Sequence, residues 1–197
     1  PKKDFKKVSQ QDKENSLNFA NLLDLVAKIN PKLRIRFSTS NPQDMGVEVI
    51  DTMSKHINIC NHIHLPVQSG SSRILKLMKR GYDREKYLTL IDEIKQRIPD
   101  CAISMDMIIG FCSETEKDHK ETISLMNYVC YDFGYMYKYS VRPNTPASRM
   151  EDTVPEELKQ TRLAEIIKNQ LAHSLLNMKK KIGNTYEVLI EGYSKKS

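Results

Sequence analysis

The sequence predicts an α/β fold with a parallel sheet, because short apolar strands alternate with amphipathic helices along the chain. The predicted strands cover residues 34–37, 62–65, 102–109 and 133–139. Parallel strands need long crossover connections, which helices usually provide and which are nearly always right-handed. Hydrophobic residues make up 39% of the chain, enough for a core. Two architectures fit this pattern, an open doubly wound sheet and a (β/α) barrel or part of one.

Capping residues mark the helices between these strands. Ser16, Asp83 and Thr115 each precede an amphipathic run and are predicted N-caps, and Ser71 or Ser72 begins a shorter helix that Gly81 closes. The predicted core face of the first helix is apolar at every fourth or third position. Its members are Phe19, Leu22, Val26 and Ile29.

The pattern changes after Pro143. A capping box at residues 153–156 predicts the start of a long helix that Gly183 ends. Residues 185–191 then predict a strand. Because one strand cannot fold alone, we expect it to begin a separate β domain, the alternative being an edge strand of the main sheet. The predicted core face of the long helix consists of Leu163, Ile167, Leu171, Ser174, Leu175, Met178 and Ile182.

Composition and charge limit the class of protein. The net charge of +6 is compatible with a polyanionic partner such as RNA and equally with a merely basic protein. No apolar run approaches the roughly 20 residues of a membrane span, and no secretory signal leads the sequence, so we expect no membrane association and a cytoplasmic location. The cysteines are too far apart for a CxxC or CxxxCxxC motif and are expected to be free thiols.

Small polar turns follow all four predicted strands, at residues 38–41, 67–71, 110–114 and 140–144. Ligands of parallel α/β folds bind where strands end at their carboxyl edge, so these turns predict a site. Gln68 and the serines suit ribose hydroxyls, whereas the cation of Arg142 suits a carboxylate or phosphate. Neither a GxGxxG motif nor a Walker loop is present, which leaves a dinucleotide or nucleoside triphosphate without its usual signature.

Polar and aromatic residues inside the predicted strands have a structural interpretation as well as a functional one. His62 and His64 are predicted to be packed polar groups, because no acidic or cysteine partner lies at a metal-ligand spacing. Asp106 is either a site residue or a buried hydrogen-bond hub. Three alternating tyrosines are predicted to pack in the core and not to stack on bases: Tyr135, Tyr137 and Tyr139.

Four segments in this order resemble the signatures of one family. They read RIRFSTSNP at residues 34–42, HLPVQSGS at 64–71, DMIIGFCSET at 106–115 and YSVRPNTPA at 139–147. The first and last are weak by themselves, whereas the second is long and specific. The family is that of the radical S-adenosylmethionine methylthiotransferases.

This resemblance implies a three-part protein of which the chain is one stretch. Residues 1–182 would be the C-terminal part of the radical domain, a partial (β/α) barrel, and residues 183–197 would begin a truncated TRAM-like β-barrel domain that grips tRNA. The cluster-binding CxxxCxxC loop is expected to lie outside the stretch, which would then be inactive alone. No catalytic and no metal-ligating residue is assigned within it.

The resemblance also implies cofactors and a reaction. The full-length enzyme would use S-adenosylmethionine and two 4Fe–4S clusters to insert a methylthio group at carbon 2 of a modified adenosine beside the tRNA anticodon. The sulfur and electron donors are unidentified. Cys112 and Ser113 stand where the family usually has Pro-Gly, so this loop departs from the family pattern. The residues expected to line the S-adenosylmethionine site are Gln68, Ser69, Gly110 and Arg142, with Ser38 and Glu114 in addition.

Several alternatives stay open. The branch that modifies N(6)-dimethylallyladenosine is the nearest in sequence, but the threonylcarbamoyladenosine branch shares Arg142 and Pro143. A branch acting on a ribosomal protein typically has acidic residues there and is disfavoured. Outside the family, the same strand ends would suit a cluster-free RNA-binding α/β module or a nucleotide-dependent enzyme on an open sheet.

Overall fold

A three-stranded parallel sheet organises the computed structural model, which describes residues 17–38, 41–190 and 192–194. The strand order is β1-β2-β3, with β1 at His62–His64, β2 at Ala102–Ile109 and β3 at Phe133–Lys138. The predicted alternation of strands and crossover helices is thereby confirmed. The helices are α1 (Phe19–Ile29), α2 (Val47–Lys55), α3 (Ser72–Leu77), α4 (Arg84–Arg97), α5 (Glu116–Val129) and α6 (Glu156–Lys179), with short 3₁₀ turns at Pro42–Asp44 and Pro146–Arg149.

The predicted strand at residues 34–37 is reduced to a single bridge. Ile35 pairs in parallel with Ile59, its N–H donating to the carbonyl of Asn58 at 2.9 Å. The segment that carries Ile59 bends at Asn61 before β1 begins, so the pairing cannot continue along β1. The first strand prediction was therefore right in direction but wrong in extent.

Local signals predicted the caps of the central helices. Asp83 caps α4, accepting the N–H of Lys86 at 2.9 Å. Thr115 caps α5 in a reciprocal capping box with Asp118. Ser71 occupies the N-cap position of α3, but that helix ends at Leu77, before the predicted stop at Gly81.

Helix α1 buries a different face from the predicted one. Asn18 caps it, whereas the predicted cap Ser16 lies outside the described residues. The larger apolar residues at Phe19, Leu22 and Ile29 stay exposed. Small side chains allow a close approach to the neighbouring helix, and the buried face of α1 accordingly consists of Ala20, Leu23 and Ala27.

Helix α6 shows the same inversion more strongly. Its predicted apolar face is largely exposed, with Leu171 at 65%. The inward side chains are Ile166 and several polar ones: Gln170 donates to the carbonyl of Tyr131 at 2.8 Å, and Ser174, itself a member of the predicted face, donates to that of Asp132 at 2.7 Å. The predicted capping box at residues 153–156 is absent, since Pro155 is the N-cap and makes no side-chain bond.

The strand predicted at residues 185–191 is not formed. Residues 185–190 have no regular secondary structure and their side chains are exposed, and residue 191 lies outside the described part. A strand needs a partner for its backbone groups, and no described segment pairs with this one. The domain boundary between residues 182 and 183 therefore stays a prediction. No helix in the described ranges is long and apolar enough to cross a membrane.

The two faces of the sheet differ in coverage. Helices cover one face, where Ile103, Met105 and Met107 of β2 are buried. On the other face Tyr135 and Tyr137 are 54% and 55% exposed, so the prediction that they pack in the core was wrong. The described residues place no second layer on that face. One covered and one open face is the geometry of a barrel wall, and it agrees with the predicted partial barrel.

Core stability depends on a buried hydroxyl pair. Tyr131 donates to the hydroxyl of Tyr87 at 2.9 Å, and Tyr87 donates to the carbonyl of Leu65 at 3.0 Å. We expect Tyr87→Phe to cost about 1–3 kcal/mol of unfolding free energy, because it leaves buried polar groups unpaired. Urea unfolding would measure this. Tyr128→Phe is the control, since its hydroxyl is exposed, and should stay within about 0.5 kcal/mol. Equal losses in both variants would contradict the prediction.

Candidate functional site

The turn after β1 carries an amide side chain, that of Gln68, at the carboxyl edge of the sheet. Gln68 continues the ladder, its N–H donating to the carbonyl of Asp106 and its carbonyl accepting from Ile108, both at 2.9 Å. Its φ of +73° is left-handed, an uncommon and strained conformation for a residue other than glycine. The side chain is only 8% exposed, and its amide suits a ligand at the carboxyl edge.

The turn after β2 requires glycine. Gly110 has a φ of +71°, and a Cβ there would lie 2.3 Å from the Cγ of Lys159. The Gly110 N–H donates to the carboxylate of Glu114 at 3.1 Å. Arg162 binds that carboxylate at 3.0 Å. Burial raises the pKa of Glu114, against the opposing effects of the Gly110 N–H and the Arg162 charge. Glu114 thus shapes the turn from inside and does not face the edge.

A cavity of about 300 Å³ opens beside these turns. Ile108, Phe111 and Tyr139 form its apolar wall, with Met78 and Arg80 across from them. The rings of Phe111 and Tyr139 meet edge to face, 4.9 Å between centroids. Burial, and next the Cys112 thiol, raise the pKa of Tyr139. The cavity is mostly apolar with a cation at its rim, which suits a flat base better than a phosphate.

A larger cavity of about 600 Å³ lies at the opposite edge of the sheet. It is lined by residues that precede β2 and β3, among them Cys101 and Cys130. Parallel α/β folds bind their ligands at the carboxyl edge, where helix N-termini and loops converge. We therefore place the candidate site at the smaller cavity.

Two of the predicted site residues support or flank the turns. Ser69 is buried, and its hydroxyl accepts the N–H of Ser71 at 3.2 Å, so it shapes the turn after Gln68. Arg142 follows β3 and is exposed, and its guanidinium makes no ion pair with the described residues. Its carbonyl anchors the next turn by accepting from Thr145. Arg142 is thus an exposed cation past the end of β3.

Ser38 differs from the other predicted residues in the segment that it follows. Ser38 comes three residues after the isolated Ile35–Ile59 bridge, which does not continue into β1, whereas Gln68 extends the pairing of β1 with β2. Ser38 is exposed, and residues 39 and 40 after it lie outside the described part. The structure brings Gln68, Ser69 and Gly110 together, whereas no described contact links Ser38 to them.

The histidines of β1 form a polar cluster on the open face of the sheet. His62 Nε2 lies 3.0 Å and His64 Nδ1 2.9 Å from the hydroxyl of Ser104, and His64 Nε2 lies 3.5 Å from Asp106. Burial is the main cause that lowers the pKa of His62. Asp106 is half-buried and paired with His64, which favours the hydrogen-bond interpretation of this residue.

A buried carboxylate, which the sequence interpretation missed, joins two of the turns. Asp118 accepts hydrogen bonds from the Ser71 hydroxyl at 2.7 Å, the Thr115 N–H at 2.8 Å and the Arg73 guanidinium. Burial by itself would raise the pKa of Asp118, but these hydrogen bonds outweigh it and hold the pKa well below its usual range. The only sequence signal for this residue was its place at the third position after the Thr115 cap.

Comparison with known proteins gives this edge its context. The model of the radical SAM superfamily matches residues 2–126. The chain belongs to the radical SAM superfamily. It is 60% identical over its whole length to the tRNA-2-methylthio-N(6)-dimethylallyladenosine synthase of Christiangramia forsetii and covers 41% of that protein. The synthase of the same name from Chloroherpeton thalassium is 53% identical over 96% of the chain, which covers 42% of it. The chain thus spans about two fifths of the length of the curated relatives it matches.

A solved radical SAM enzyme shares the fold. Coproporphyrinogen III oxidase from Escherichia coli superimposes on 80% of this chain and 38% of its own length, with a TM-score of 0.61 at 20% identity. That likeness supports the α/β partial-barrel architecture. It carries no information about substrate.

The radical SAM superfamily implies S-adenosylmethionine and a 4Fe–4S cluster, and the described residues fit these two groups differently. The amide of Gln68 and the apolar cavity at Tyr139 suit a nucleoside. The hydroxyl of Tyr139 is buried without a hydrogen-bond partner in the described part. Among the described residues, no group of three or more His, Cys, Asp or Glu could hold a metal ion, so these residues do not fit the 4Fe–4S cluster.

Substitution of Gly110 by alanine tests the turn. We expect Gly110→Ala to cost about 1 kcal/mol for the left-handed backbone and about 1–3 kcal/mol for crowding against Lys159, measured by urea unfolding. Gly183→Ala is the matched control, because Gly183 also has a positive φ, +85°, but nothing within 4 Å of an added Cβ. Equal effects of the two substitutions would rule out the close approach of Lys159 as the cause.

Because Asp118 is ionised in the folded protein, we expect the free energy of unfolding to depend on pH. Because its folded pKa is depressed, its contribution to stability is complete above the unfolded pKa of about 4 and is lost as the pH falls through the folded pKa. Urea unfolding between pH 7 and pH 2.5 should show a smaller acid loss of stability for Asp118→Asn than for the parent. Asp100→Asn, which removes an exposed carboxylate in the turn before β2, is the control and should keep the acid slope of the parent. An unchanged acid slope in Asp118→Asn would contradict the assignment.

Proposed function

We propose that the chain is the part of a cytoplasmic tRNA methylthiotransferase that forms one wall of its S-adenosylmethionine site. The observation that carries the proposal is the carboxyl edge, where the left-handed turn residues Gln68 and Gly110 lie next to an apolar cavity lined by Ile108, Phe111 and Tyr139. The relatives at 53–60% identity, all with the same printed name, support the reaction class.

In this proposal each turn has its own task. The amide of Gln68 would bind the ribose hydroxyls, and the cavity wall of Ile108, Phe111 and Tyr139 would hold the adenine and exclude water from it. The Arg142 guanidinium would bind an anionic group of the cofactor, such as its carboxylate. When bound beside a reduced cluster held elsewhere in the protein, S-adenosylmethionine supplies hydrogen-atom abstraction and a methyl group.

The proposed substrate is N(6)-dimethylallyladenosine beside the anticodon of tRNA. The names of the relatives favour this base over threonylcarbamoyladenosine. The net charge of +6 suits a polyanionic substrate. Ser38, Ser69 and Glu114 complete the proposed site, the last two as supports of the turns.

A test uses the full-length protein reconstituted with its clusters. Gln68→Ala and Arg142→Ala should each slow the cleavage of S-adenosylmethionine to 5′-deoxyadenosine by about tenfold or more, because each removes one polar contact to the bound cofactor. Chromatographic quantification of 5′-deoxyadenosine measures the effect.

The matched controls are Gln96→Ala and Arg97→Ala. These residues lie at the end of α4, on the opposite edge of the sheet, and are exposed. Their cofactor cleavage should equal that of the parent. Unchanged cleavage in both Gln68→Ala and Arg142→Ala would contradict the assignment of these residues to the cofactor site. The absence of a CxxxCxxC loop from the coding region upstream of Pro1 would instead favour a cluster-free RNA-binding module.

A further inference from the structure

We propose that helix α6 positions the Gly110 turn through two buried basic side chains, and that Arg162 is a positioning residue for the cofactor site. This inference rests on the proposed function, since it assigns a role to residues behind the same site. It concerns a helix that the sequence motifs do not include.

Arg162 reaches the Gly110 turn through one carboxylate. Its guanidinium donates to the side chain of Glu114 at 3.0 Å and to the Glu114 carbonyl at 3.2 Å. The other carboxylate oxygen of Glu114 accepts the Gly110 N–H at 3.1 Å. Both ionic side chains are almost completely buried, at 4% and 1% exposure. Because Glu114 bridges the two groups, a shift of Arg162 is transmitted to the Gly110 amide.

Lys159 supports the same turn one helical turn earlier. Its aliphatic stem occupies the space that a Cβ on Gly110 would fill, and its ammonium group pairs with Asp152. That ammonium also lies 5.7 Å from the centroid of the Tyr139 ring, in the wall of the cavity. Lys159 and Arg162 are three residues apart and therefore share one face of α6. This face of α6 therefore contacts both the Gly110 turn after β2 and the Tyr139 ring after β3.

The energetics point to positioning more than to stability. A buried ion pair often stabilises no more than an apolar pair of similar volume, because both charges lose their hydration. Burial still raises the pKa of Glu114 although Arg162 is adjacent, so the pair does not fully offset that loss. The Nε of Arg162 is buried without a partner among the described groups, a further cost. What the pair does provide is a fixed direction for the Gly110 N–H and the turn that carries it.

The far end of α6 is anchored as well. Gln170 and Ser174 bind the carbonyls of Tyr131 and Asp132, just before β3 begins. The helix therefore runs the length of β3 with hydrogen bonds at both ends. An element held in this way keeps the turn after β2 at a fixed height relative to the turn after β3.

The test measures amide exchange and ligand binding in the full-length protein. We expect Arg162→Met to speed hydrogen–deuterium exchange of the Gly110 amide by about tenfold or more. Its affinity for S-adenosylhomocysteine should fall by a similar factor, and Arg162→Lys should restore part of both. Amide-resolved exchange and isothermal titration with S-adenosylhomocysteine give the two readouts.

Ile166→Ala is the control for a general loss of stability. Ile166 is fully buried on the same helix, but its apolar side chain cannot hydrogen-bond Glu114 or the Gly110 turn. In Ile166→Ala, amide exchange should rise across the whole core and not preferentially at Gly110. If the Gly110 amide exchanges preferentially in Ile166→Ala to the same degree as in Arg162→Met, the positioning role is overturned. It is also overturned if the Gly110 amide keeps its protection from exchange in Arg162→Met. If Arg162→Met does not fold, Glu114→Gln and Arg162→Lys decide by the same comparison.

The two proposals fail in different ways. If the parent protein does not bind S-adenosylhomocysteine, the proposed function fails, while the selective exchange at Gly110 still decides the role of Arg162. If the parent binds the ligand and Gly110 exchange is unaffected by Arg162→Met, only the positioning inference fails.

Discussion

The hydrogen bonds that extend the parallel ladder beyond the end of β1 determine much of the site. They bring Gln68 beside Ile108, two residues before Gly110, so that two turns distant in sequence share one edge. This register places the left-handed residues of both turns at the same edge. It also brings Asp118 within reach of Ser71, which links the two turns a second time. Without the extended pairing, the residues of the two turns would not meet at the cavity, and the buried carboxylate of Asp118 would not reach Ser71.

Buried charge is concentrated behind this edge and is scarce elsewhere in the described core. Asp118, Glu114, Lys159 and Arg162 are nearly inaccessible, and each has at least one ionic partner. Such groups are costly to bury and are strongly sensitive to the loss of one partner. Their arrangement around two turns indicates that this part of the fold gives up stability for a defined backbone path.

Local chemistry made the strands and caps predictable. The eight residues of β2 and the caps Asp83 and Thr115 follow from apolar runs and from side chains that accept backbone N–H groups. The turns after β1 and β2 were located by their glycines and small polar residues; Gly110 does adopt a left-handed backbone, but in the turn after β1 the left-handed residue is Gln68 and not the glycine.

Helix faces and inward polar groups could not be predicted in the same way. Helix α6 buries Lys159 and Arg162 because their partners, Asp152 and Glu114, come close only in the folded chain. Its apolar residues were expected inside because hydrophobic periodicity was the only guide to its orientation. The tyrosines of β3 were misplaced for a related reason, since alternation identifies two faces but does not say which one the helices cover.

The open face of the sheet affects how the chain behaves in solution. Phe133, Tyr135 and Tyr137 form a half-exposed aromatic row, and Leu171 and Leu175 on α6 add an uncovered apolar ridge. Surfaces of this kind attract each other in water, and β1 and β3 both have an unpaired edge in the described sheet. Preparations of the isolated chain should therefore be prone to self-association. They should stay monomeric more readily at low protein concentration and in a weakly chaotropic buffer.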